Sequence, residues 1–326
     1  MTSPHVICLG EVLFDYLADQ SGREYAEVTS WTPYPGGAPA NVACGLAKLG
    51  TSSAFIGCVG SDEAGDTLIS VLRSDGVEVS GVQRHSTAPT RLVYVTRSEE
   101  GERTFAGFGD LDTTRFADAF LNQDQLPVPL FEAADFLVLG TLELAYPQTR
   151  AAIETALQLC EQNFVKILLD VNWRPMFWPD PAQAEAPIRA LMQRVDFLKL
   201  SDEEAQWLFG TMDPGVIAHR LGQVEGVFVT AGAQGCAYCL GGNEGKVPAL
   251  SVKAVDTTGA GDAFVAGLLH QLNQTAVSNL NDPQRAQAIV RYANAVGALT
   301  TTAPGAIAAQ PTAAAVDVLL RQVVSY

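Results

Sequence analysis

The sequence predicts an α/β fold in which helices cover a mainly parallel central sheet and a small second β-sheet forms a lid. From residue 134 onward, short apolar runs alternate with helical patterns, which is the order of βαβ units with right-handed crossovers. Between residues 82 and 108, strand-like stretches follow one another without a helix. We therefore expect a single domain over residues 1–326, with lid strands at about 12–34 and 82–110.

The individual elements follow from local residue patterns. Apolar, β-branched runs between turn residues predict strands, whereas apolar residues repeating every three or four positions predict helices. Two strand-like stretches flank the turn residues at 99–102, which indicates a hairpin. The predicted strands are 6–9, 53–59, 82–86, 91–97, 103–108, 136–140, 166–171, 197–200, 227–230 and 235–240. The predicted helices are 40–49, 66–74, 147–161, 182–195, a short helix from 202, 216–221, 261–272, 284–300 and 312–324.

The composition is typical of a globular enzyme. A hydrophobic fraction of 48% with 17% charged residues argues against disorder. The net charge of -16 argues against nucleic acid or an anionic membrane as a partner, because their phosphates would be repelled. No apolar run reaches the ~18 residues that a transmembrane helix needs, and the first residues lack the pattern of a secretion signal. We therefore expect a cytoplasmic protein.

The six cysteines lie in apolar contexts, as is usual in a reduced compartment. Cys236 and Cys239 form a C-x-x-C pattern that could bind a metal or cycle between thiol and disulfide. The surrounding residues predict a strand, however, and positions i and i+3 of a strand point to opposite faces. We therefore expect no metal or redox site at this pair.

The strongest chemical signal is Asp-Thr-Thr-Gly-Ala-Gly-Asp-Ala-Phe at residues 256–264, between a strand-like and a helical pattern. The small residues Gly259, Ala260 and Gly261 would let backbone N–H groups approach a phosphate, and the helix N-terminus adds its positive dipole end. Asp262 could then accept the proton of an attacking hydroxyl. The alternative is an ordinary capped helix after a tight turn, but this run of small residues followed directly by an Asp exceeds what a cap requires.

Two further segments have the residue types of a ligand site. Gly36 and Gly37 would let backbone approach a ligand, and Asn41 can donate to and accept from hydroxyls. An N-capping Asn after a loop explains that segment equally well. Asp-Val-Asn-Trp-Arg at 170–174 ends an apolar strand, where α/β sheets gather their ligands. Arg174 could face an anion there, or pair with a neighbouring carboxylate.

Several catalytic motifs are absent from the sequence. It contains no G-x-x-x-x-G-K-[ST], no protein-kinase H-R-D or D-F-G, and no G-x-G-x-x-G after the first strand. The four histidines form no H-E-x-x-H, which argues against a zinc hydrolase, and no G-x-S-x-G is present.

The two glycine motifs together resemble the two signatures of the ribokinase-like, or PfkB, family of carbohydrate kinases. Its Gly-Gly-x-x-x-Asn signature matches Gly36, Gly37 and Asn41, and its Asp-Thr-x-Gly-Ala-Gly-Asp signature matches residues 256–262. The similarity runs from Gly10 to about residue 306, and strings such as Gly-Gly-Ala-Pro-Ala-Asn-Val-Ala are typical of the fructokinases of that family. The resemblance implies a ribokinase-like three-layer α/β/α domain whose small β-sheet lid closes over the sugar and could form a homodimer.

The resemblance also implies roles for individual residues. It makes Asp262 the general base, the 259–261 amides an anion hole, and Arg174 a neighbour of the phosphoryl groups. The positions that match sugar-contacting residues are Asp15, Gly36, Gly37 and Asn41. The positions that match nucleotide-binding residues are Ser201, Glu204, Thr230, Gly232, Gly235 and Asn294. The positions that match metal sites are Glu204, for magnesium through water, and Asp256 and Thr258 with carbonyls at 300–305, for a monovalent cation such as potassium.

The sequence departs from the family pattern at three places. Ser201 replaces an Asn, Ala303 and Pro304 stand where a Lys often precedes the glycine of the cation loop, and the lid strand lacks the aromatic–Arg ending of many fructokinases. The resemblance implies that the lid sets sugar preference, so the third departure bears on the acceptor more than on the reaction, whereas the second bears on activation by potassium.

The reaction implied by the resemblance is transfer of phosphate from ATP, with Mg²⁺, to D-fructose, giving fructose 6-phosphate. One alternative is another acceptor, such as 2-keto-3-deoxygluconate, ribose or a nucleoside; Arg91, Arg97 or Arg103 could then face a carboxylate. The other alternative is a kinase-like binding protein without turnover, against which the intact Asp262 and Asn41 argue.

Overall fold

The computed structural model describes residues 4–99 and 103–324 of the chain. In this part of the chain the named strands form one sheet of nine strands and one of four. The strands are β1 (Val6–Leu9), β2 (Leu13–Ala18), β3 (Trp31–Gly36), β4 (Ser53–Gly60), β5 (Glu78–His85), β6 (Leu92–Arg97), β7 (Arg103–Gly107), β8 (Phe136–Leu139), β9 (Lys166–Asp170), β10 (Phe197–Ser201), β11 (Gly226–Thr230), β12 (Cys236–Leu240) and β13 (Asn243–Val247). The α-helices are α1 (Ala38–Leu49), α2 (Glu63–Ser74), α3 (Val128–Ala133), α4 (Pro147–Asn163), α5 (Glu185–Met192), α6 (Asp202–Phe209), α7 (Pro214–Leu221), α8 (Ala260–Asn273), α9 (Pro283–Thr300) and α10 (Ala313–Val324).

The large sheet is mainly parallel, as predicted. Its strand order is β13-β12-β11-β10-β9-β8-β1-β4-β5. Each pair from β11 to β5 is parallel, and β12 and β13 extend one edge as antiparallel strands. Every residue of β1 is buried, as expected for a parallel strand that helices cover on both faces. The predicted three-layer α/β/α architecture is thereby confirmed.

The hydrophobic core has two parts, one on each face of the large sheet, and the side chains of β1 contribute alternately to both. Val6 and Cys8 belong to one hydrophobic cluster with side chains of α1, α8 and α9. Ile7 and Leu9 belong to a second cluster with side chains of α4, α5 and α6. Successive strand residues point to opposite faces, so each cluster lies on one face of the sheet. Burying a single Leu or Ile side chain contributes roughly 1.5–3 kcal/mol, and both clusters contain many such residues.

The small sheet has the strand order β3-β2-β6-β7. β2 is antiparallel to β3 and parallel to β6, and β6 is antiparallel to β7. The predicted hairpin is confirmed as β6 and β7, while its turn at 100–102 lies outside the described residues.

One segment predicted for the lid belongs to the large sheet instead. β5 pairs in parallel with β4, so the expectation of a lid strand at 82–86 is wrong. The helix α2 lies between these two strands and makes an ordinary crossover back to the same sheet. No helix separates β5 from β6, so hydrophobic periodicity could not mark the change of sheet. The second lid segment therefore begins at β6.

Smaller differences have local causes. The strand β13 was not predicted because Asn-Glu-Gly-Lys-Val lacks a run of apolar residues. The helix predicted at 182–195 is shorter, because Asp180 caps a preceding 3₁₀ turn through the Ala182 N–H and α5 begins after it. Cys236 and Cys239 lie on β12, the first buried and the second partly exposed, as the strand prediction required.

None of the described helices combines the length and apolar character needed to span a bilayer.

Candidate active site

The N-terminus of α8 has the backbone geometry expected of an anion site. Gly259 has φ = 76° and is the N-cap of the helix. A Cβ atom on Gly259 would lie 2.7 Å from the Cβ of Ala306, so a glycine is required by both conformation and space. The N–H of Ala260 contacts the Thr257 carbonyl at 3.3 Å. Among the described residues, the N–H groups of Gly261 and Asp262 have no backbone partner and can bind an anion.

The N-terminus of α1 approaches the same point from the other half of the chain. Gly37 has φ = 105°, and a Cβ there would lie 2.5 Å from the carbonyl oxygen of Glu11. In the first turn of α1, the Asn41 side chain donates from Nδ2 to Oδ2 of Asp262 at 2.7 Å. The other amide atom, Oδ1 of Asn41, is buried without a hydrogen-bond partner among the described residues. The two predicted glycine motifs therefore meet, with one acceptor left for a ligand.

The environment of Asp262 suits a general base. Burial raises the pKa of its carboxyl, while the Asn41 hydrogen bond and the positive charges of Lys199 and Arg174 oppose that shift. A raised pKa makes the carboxylate a better proton acceptor, and the hydrogen bond fixes its orientation.

Sequence reasoning missed Lys199, and it placed Asp170 in a candidate ligand segment without giving it a role. Their side chains form a buried ion pair, with Nζ of Lys199 2.9 Å from Oδ1 of Asp170. Burial raises the pKa of Asp170 to about 6, although Lys199 lowers it. Burial alone would lower the pKa of Lys199, but Asp170, Glu204 and Asp262 raise it overall. A lone lysine inside the apolar strand β10 was the signal that could have identified this pair.

The absence of a side chain at Gly261 brings the Lys199 ammonium against the start of α8. A Cβ on Gly261 would lie 3.4 Å from Nζ of Lys199. The ammonium therefore adds a positive charge beside the first-turn amides, on the side of the β-strands. An anion bound at the helix N-terminus would be attracted by both.

Glu204 and Ser201 form a capping box at the start of α6, with Oγ of Ser201 accepting from the Glu204 N–H at 3.1 Å. Oε2 of Glu204 accepts from the Ser201 N–H at 2.7 Å, and Oε1 accepts from the Trp173 N–H at 2.6 Å. The Glu204 carboxylate therefore holds the loop that carries Arg174. Arg174 is exposed, and its charge lowers the pKa of Asp15 and Asp262.

Asp15 extends from β2 of the small sheet towards these groups. Burial raises its pKa to about 6, Arg103 and Arg174 lower it, and Asp262 and Asp256 raise it. A Cβ on Gly36 would lie 2.9 Å from Oδ2 of Asp15, so this glycine leaves room for the carboxylate. The predicted sugar-contacting residues thus lie in one region, between the small sheet and the start of α8.

Each carboxylate oxygen of Asp256 already accepts two hydrogen bonds. Oδ1 accepts from the N–H and the hydroxyl of Thr258, at 3.0 and 2.7 Å. Oδ2 accepts from the Gly305 N–H at 3.1 Å and from Nη2 of Arg103 at 2.7 Å. A monovalent cation bound directly by this side chain, as predicted for Asp256 with Thr258, does not fit the arrangement.

The predicted nucleotide-binding residues lie at the ends of β10 and β11, in the turn after β11, and on α9. Ser201 and Thr230 are register neighbours at the ends of β10 and β11. Gly232 and Gly235 lie in the turn after β11 and have positive φ values of 50° and 90°. Asn294 lies on α9, where its Nδ2 donates to the carbonyls of residues 247 and 248 at 3.0 and 3.3 Å. The Val247 carbonyl that accepts from Asn294 also lies directly against Gly235, so Asn294 and the turn after β11 are neighbours.

The model of the pfkB family of carbohydrate kinases matches residues 3–313. The chain belongs to that family. It is 38% identical over 327 residues to probable fructokinase-6, chloroplastic, of Arabidopsis thaliana, across 99% of this chain and 84% of that protein. The predicted family and the ribokinase-like fold are thereby confirmed.

Two solved structures resemble this kinase over nearly their whole length. A fructokinase from Xylella fastidiosa with bound ATP superposes with a TM-score of 0.89 at 28% identity, covering 99% of both chains. A fructokinase double mutant from Vibrio cholerae O395, with fructose, ADP and a potassium ion bound, superposes with a TM-score of 0.83 at 29% identity, covering 98% of this chain and 99% of that one.

Proposed function

We propose that this kinase transfers the γ-phosphoryl group of ATP to the 6-hydroxyl of D-fructose. The observation that carries the proposal is the hydrogen bond from Asn41 to Asp262 at the N-terminus of α8. It places an oriented carboxylate, buried and with a raised pKa, beside amides that can bind a phosphoryl group. The resemblance to fructokinases supports fructose as the acceptor.

In the proposed reaction, the Asp262 carboxylate accepts the proton of the fructose 6-hydroxyl as that oxygen attacks the γ-phosphorus. A new phosphorus–oxygen bond forms to the sugar, and the bond to the bridging oxygen breaks, leaving ADP. The Gly259 and Gly261 amides stabilise the negative charge of the transferring group, joined by the Ala260 amide when it leaves the Thr257 carbonyl, with Arg174 on the exposed side. The Lys199 ammonium, which lies against Gly261, adds a further positive charge beside these amides.

The residues around Asp262 suit a magnesium ion that arrives with the nucleotide. Mg²⁺ keeps several waters and takes ligands from substrate phosphates, so it needs few protein ligands. Within residues 4–99 and 103–324, no group of three His, Cys, Asp or Glu side chains is placed to hold a metal ion. Glu204, whose oxygens both accept backbone N–H groups, would reach the ion through water. The bound ion would neutralise part of the phosphate charge.

The small sheet acts in this proposal as the lid over the sugar. Asp15 would accept hydrogen bonds from the sugar hydroxyls, and Asn41 would use its free Oδ1 in the same way. Closure excludes water and so suppresses hydrolysis of ATP in the absence of sugar.

The arginine contacts favour a neutral sugar over a carboxylate-bearing acceptor. Arg91 is fully buried and pairs with Asp118 through two nitrogens. Arg97 donates to the carbonyls of Ala18 and Asp19. Arg103 pairs with Asp256. Each of the three cations considered for an acceptor carboxylate therefore has a protein partner.

We infer from aromatic side chains on and beside the small sheet that the chain forms a homodimer through the lid. The rings of Trp31 and Tyr94 are 4.9 Å apart, and Tyr25 lies 5.2 Å from Tyr94 and 5.5 Å from Trp31. Tyr25 is 40% exposed, and large aromatic residues are enriched at protein interfaces. Light scattering should give the mass of a dimer, and Trp31→Ser should shift it to a monomer, while an unchanged monomeric mass would contradict the proposal.

The proposed activity is tested by ADP release with Mg-ATP and, separately, fructose, glucose, ribose, 2-keto-3-deoxygluconate and adenosine. We expect activity on fructose and a blank with Asp262→Asn. Activity on a different acceptor would retain the kinase mechanism and overturn fructose as the substrate. ATP binding without turnover on any acceptor would favour the non-catalytic alternative.

A further inference from the structure

An ion pair joins the small sheet to the segment that precedes the anion site. Arg103 is the first residue of β7, and Asp256 lies four residues before the start of α8. Nη2 of Arg103 is 2.7 Å from Oδ2 of Asp256, across 153 positions of sequence. The side chains are 33% and 9% exposed, respectively. The contact therefore bridges the small sheet and the segment before α8, beside the sugar-contacting region.

Asp256 organises the backbone on both sides of the anion site. Its Oδ1 fixes the turn that leads to Gly259 through two donors of Thr258, and its Oδ2 holds the N–H of Gly305. The residue after Gly305 is Ala306, whose side chain packs against the Gly259 backbone. Any loss of order at the Asp256 carboxylate would therefore be transmitted to the first amides of α8.

Of the four donors to Asp256 in the described part of the chain, Arg103 alone is charged and alone comes from the small sheet. A largely buried carboxylate needs a cation as well as neutral donors, because burying an unpaired charge is costly. Although burial opposes it, the pKa of Asp256 is lowered by its backbone and hydroxyl donors and by Arg103, so the group is anionic. Arg103 supplies the compensating charge in this arrangement.

We propose that Arg103 is a positioning residue that couples closure of the small sheet to the order of the anion site. Its guanidinium takes the place at Asp256 that a monovalent cation would otherwise fill. The proposal rests on the proposed kinase function. When the lid opens, Asp256 loses its cation and the turn before Gly259 loosens. Arg103 thus makes the complete anion site conditional on a closed lid.

The test compares Arg103→Gln with the wild-type enzyme and with Arg97→Gln. Arg97 lies on the adjacent strand β6, donates to backbone carbonyls and is absent from the proposed site, so its variant controls for loss of one lid charge. Fructose-dependent ADP release is measured at constant ionic strength, in tetramethylammonium and in potassium chloride. Since a charged hydrogen bond contributes ~1.5–3 kcal/mol, Arg103→Gln should lose about tenfold or more in kcat/KM without potassium.

Potassium should restore most of the lost kcat/KM of Arg103→Gln, because the ion replaces the missing charged partner of Asp256. It should change the kcat/KM of the wild type and of Arg97→Gln by less than about twofold. Arg103→Lys, which keeps the charge, should need no potassium. Equal potassium responses in all variants, strong activation of the wild type, or full activity of Arg103→Gln without potassium would each overturn the proposal.

A second readout needs neither sugar nor ATP. Potassium should raise the Tm of Arg103→Gln above its value in tetramethylammonium, because a ligand that binds the folded state stabilises it. The Tm of the wild type should not respond. In an Asp256→Asn background, Arg103→Gln should cause no further change. This measurement decides the Arg103 proposal even if the enzyme proves inactive on fructose, so the two proposals can fail separately.

Discussion

The side-chain amide of Asn41 lies 2.7 Å from the carboxylate of Asp262, which joins the first turns of α1 and α8 across 221 positions of sequence. Each residue belongs to a different glycine motif, and each motif ends in a helix N-terminus. The contact orients the carboxylate at the point where two helix dipoles converge. Such an arrangement is suited to removing a proton next to a transferring anion.

Replacing Asp262 by Asn should abolish base catalysis while leaving the fold intact. General-base assistance contributes roughly 10²–10⁴-fold in rate, so kcat should fall by about that factor. Titration calorimetry should give the same affinity for Mg-ATP as the wild type. Asp124→Asn, at an exposed position on the surface, controls for loss of one carboxylate. Near-normal turnover of Asp262→Asn would contradict the assignment of the base.

Removing the Asn41 side chain should shift the pH dependence of the reaction. The hydrogen bond from Asn41 lowers the pKa of Asp262, so Asn41→Ala should raise that pKa. The base is active when ionised, and the acid limb of the kcat profile should therefore move to higher pH. Loss of a charged hydrogen bond should also reduce kcat at neutral pH by about tenfold. An acid limb that stays in place or moves to lower pH would argue against this relationship.

Adding a methyl group at Gly259 should disturb the proposed anion site. The new Cβ would lie 2.7 Å from the Cβ of Ala306, at a backbone φ of 76°. We expect Gly259→Ala to lower the free energy of unfolding by about 1–3 kcal/mol and to weaken ATP binding. In a Gly259→Ala/Ala306→Gly double variant, urea unfolding should show partial recovery, because the contact is relieved and the backbone strain is not. No recovery would exclude the Ala306 contact as a cause.

A buried pair of carboxyl groups below α1 should make stability depend on pH. Burial raises the pKa of both Glu11 and Glu143, and each side chain is at most 5% exposed. Oε1 of Glu11 accepts the N–H of Ala38 at 2.7 Å, at the start of α1. Both groups bind protons more tightly in the folded state, so stability falls as the pH rises from the unfolded Glu pKa of about 4.3 through the folded-state values.

Glu143→Gln should therefore flatten the pH dependence of the Tm and raise the Tm at neutral pH, because the amide can donate to Glu11 without titrating. The exposed Glu132→Gln variant controls for the change in net charge. A Tm profile that keeps its wild-type slope in Glu143→Gln would show that this pair does not carry the pH dependence.

Sequence reasoning found the parts of the site that are set by neighbouring residues. Gly37 and Gly259 were identified because glycine lets the backbone approach a ligand closely, and the structure adds that both have positive φ. The parallel sheet was predicted because strand patterns alternate with helical patterns after residue 134, and each of those patterns can be recognised locally. Lys199 was missed because a single charged residue in an apolar strand indicates a buried partner but not which residue that partner is.

The sequence alone determined the α/β layer architecture, the two glycine motifs with their helix starts, and the membership of a carbohydrate kinase family. The architecture and the helix starts depend on local conformation and hydrophobic periodicity, which are encoded within a few residues, and the family follows from the resemblance of the two glycine motifs to its signatures. Only the tertiary structure decided that β5 joins the large sheet, that Lys199 pairs with Asp170, and that Arg103 holds Asp256. Each of these depends on strand order or on groups far apart in the chain, and the free energy that selects them comes from burial and charge pairing in the assembled fold.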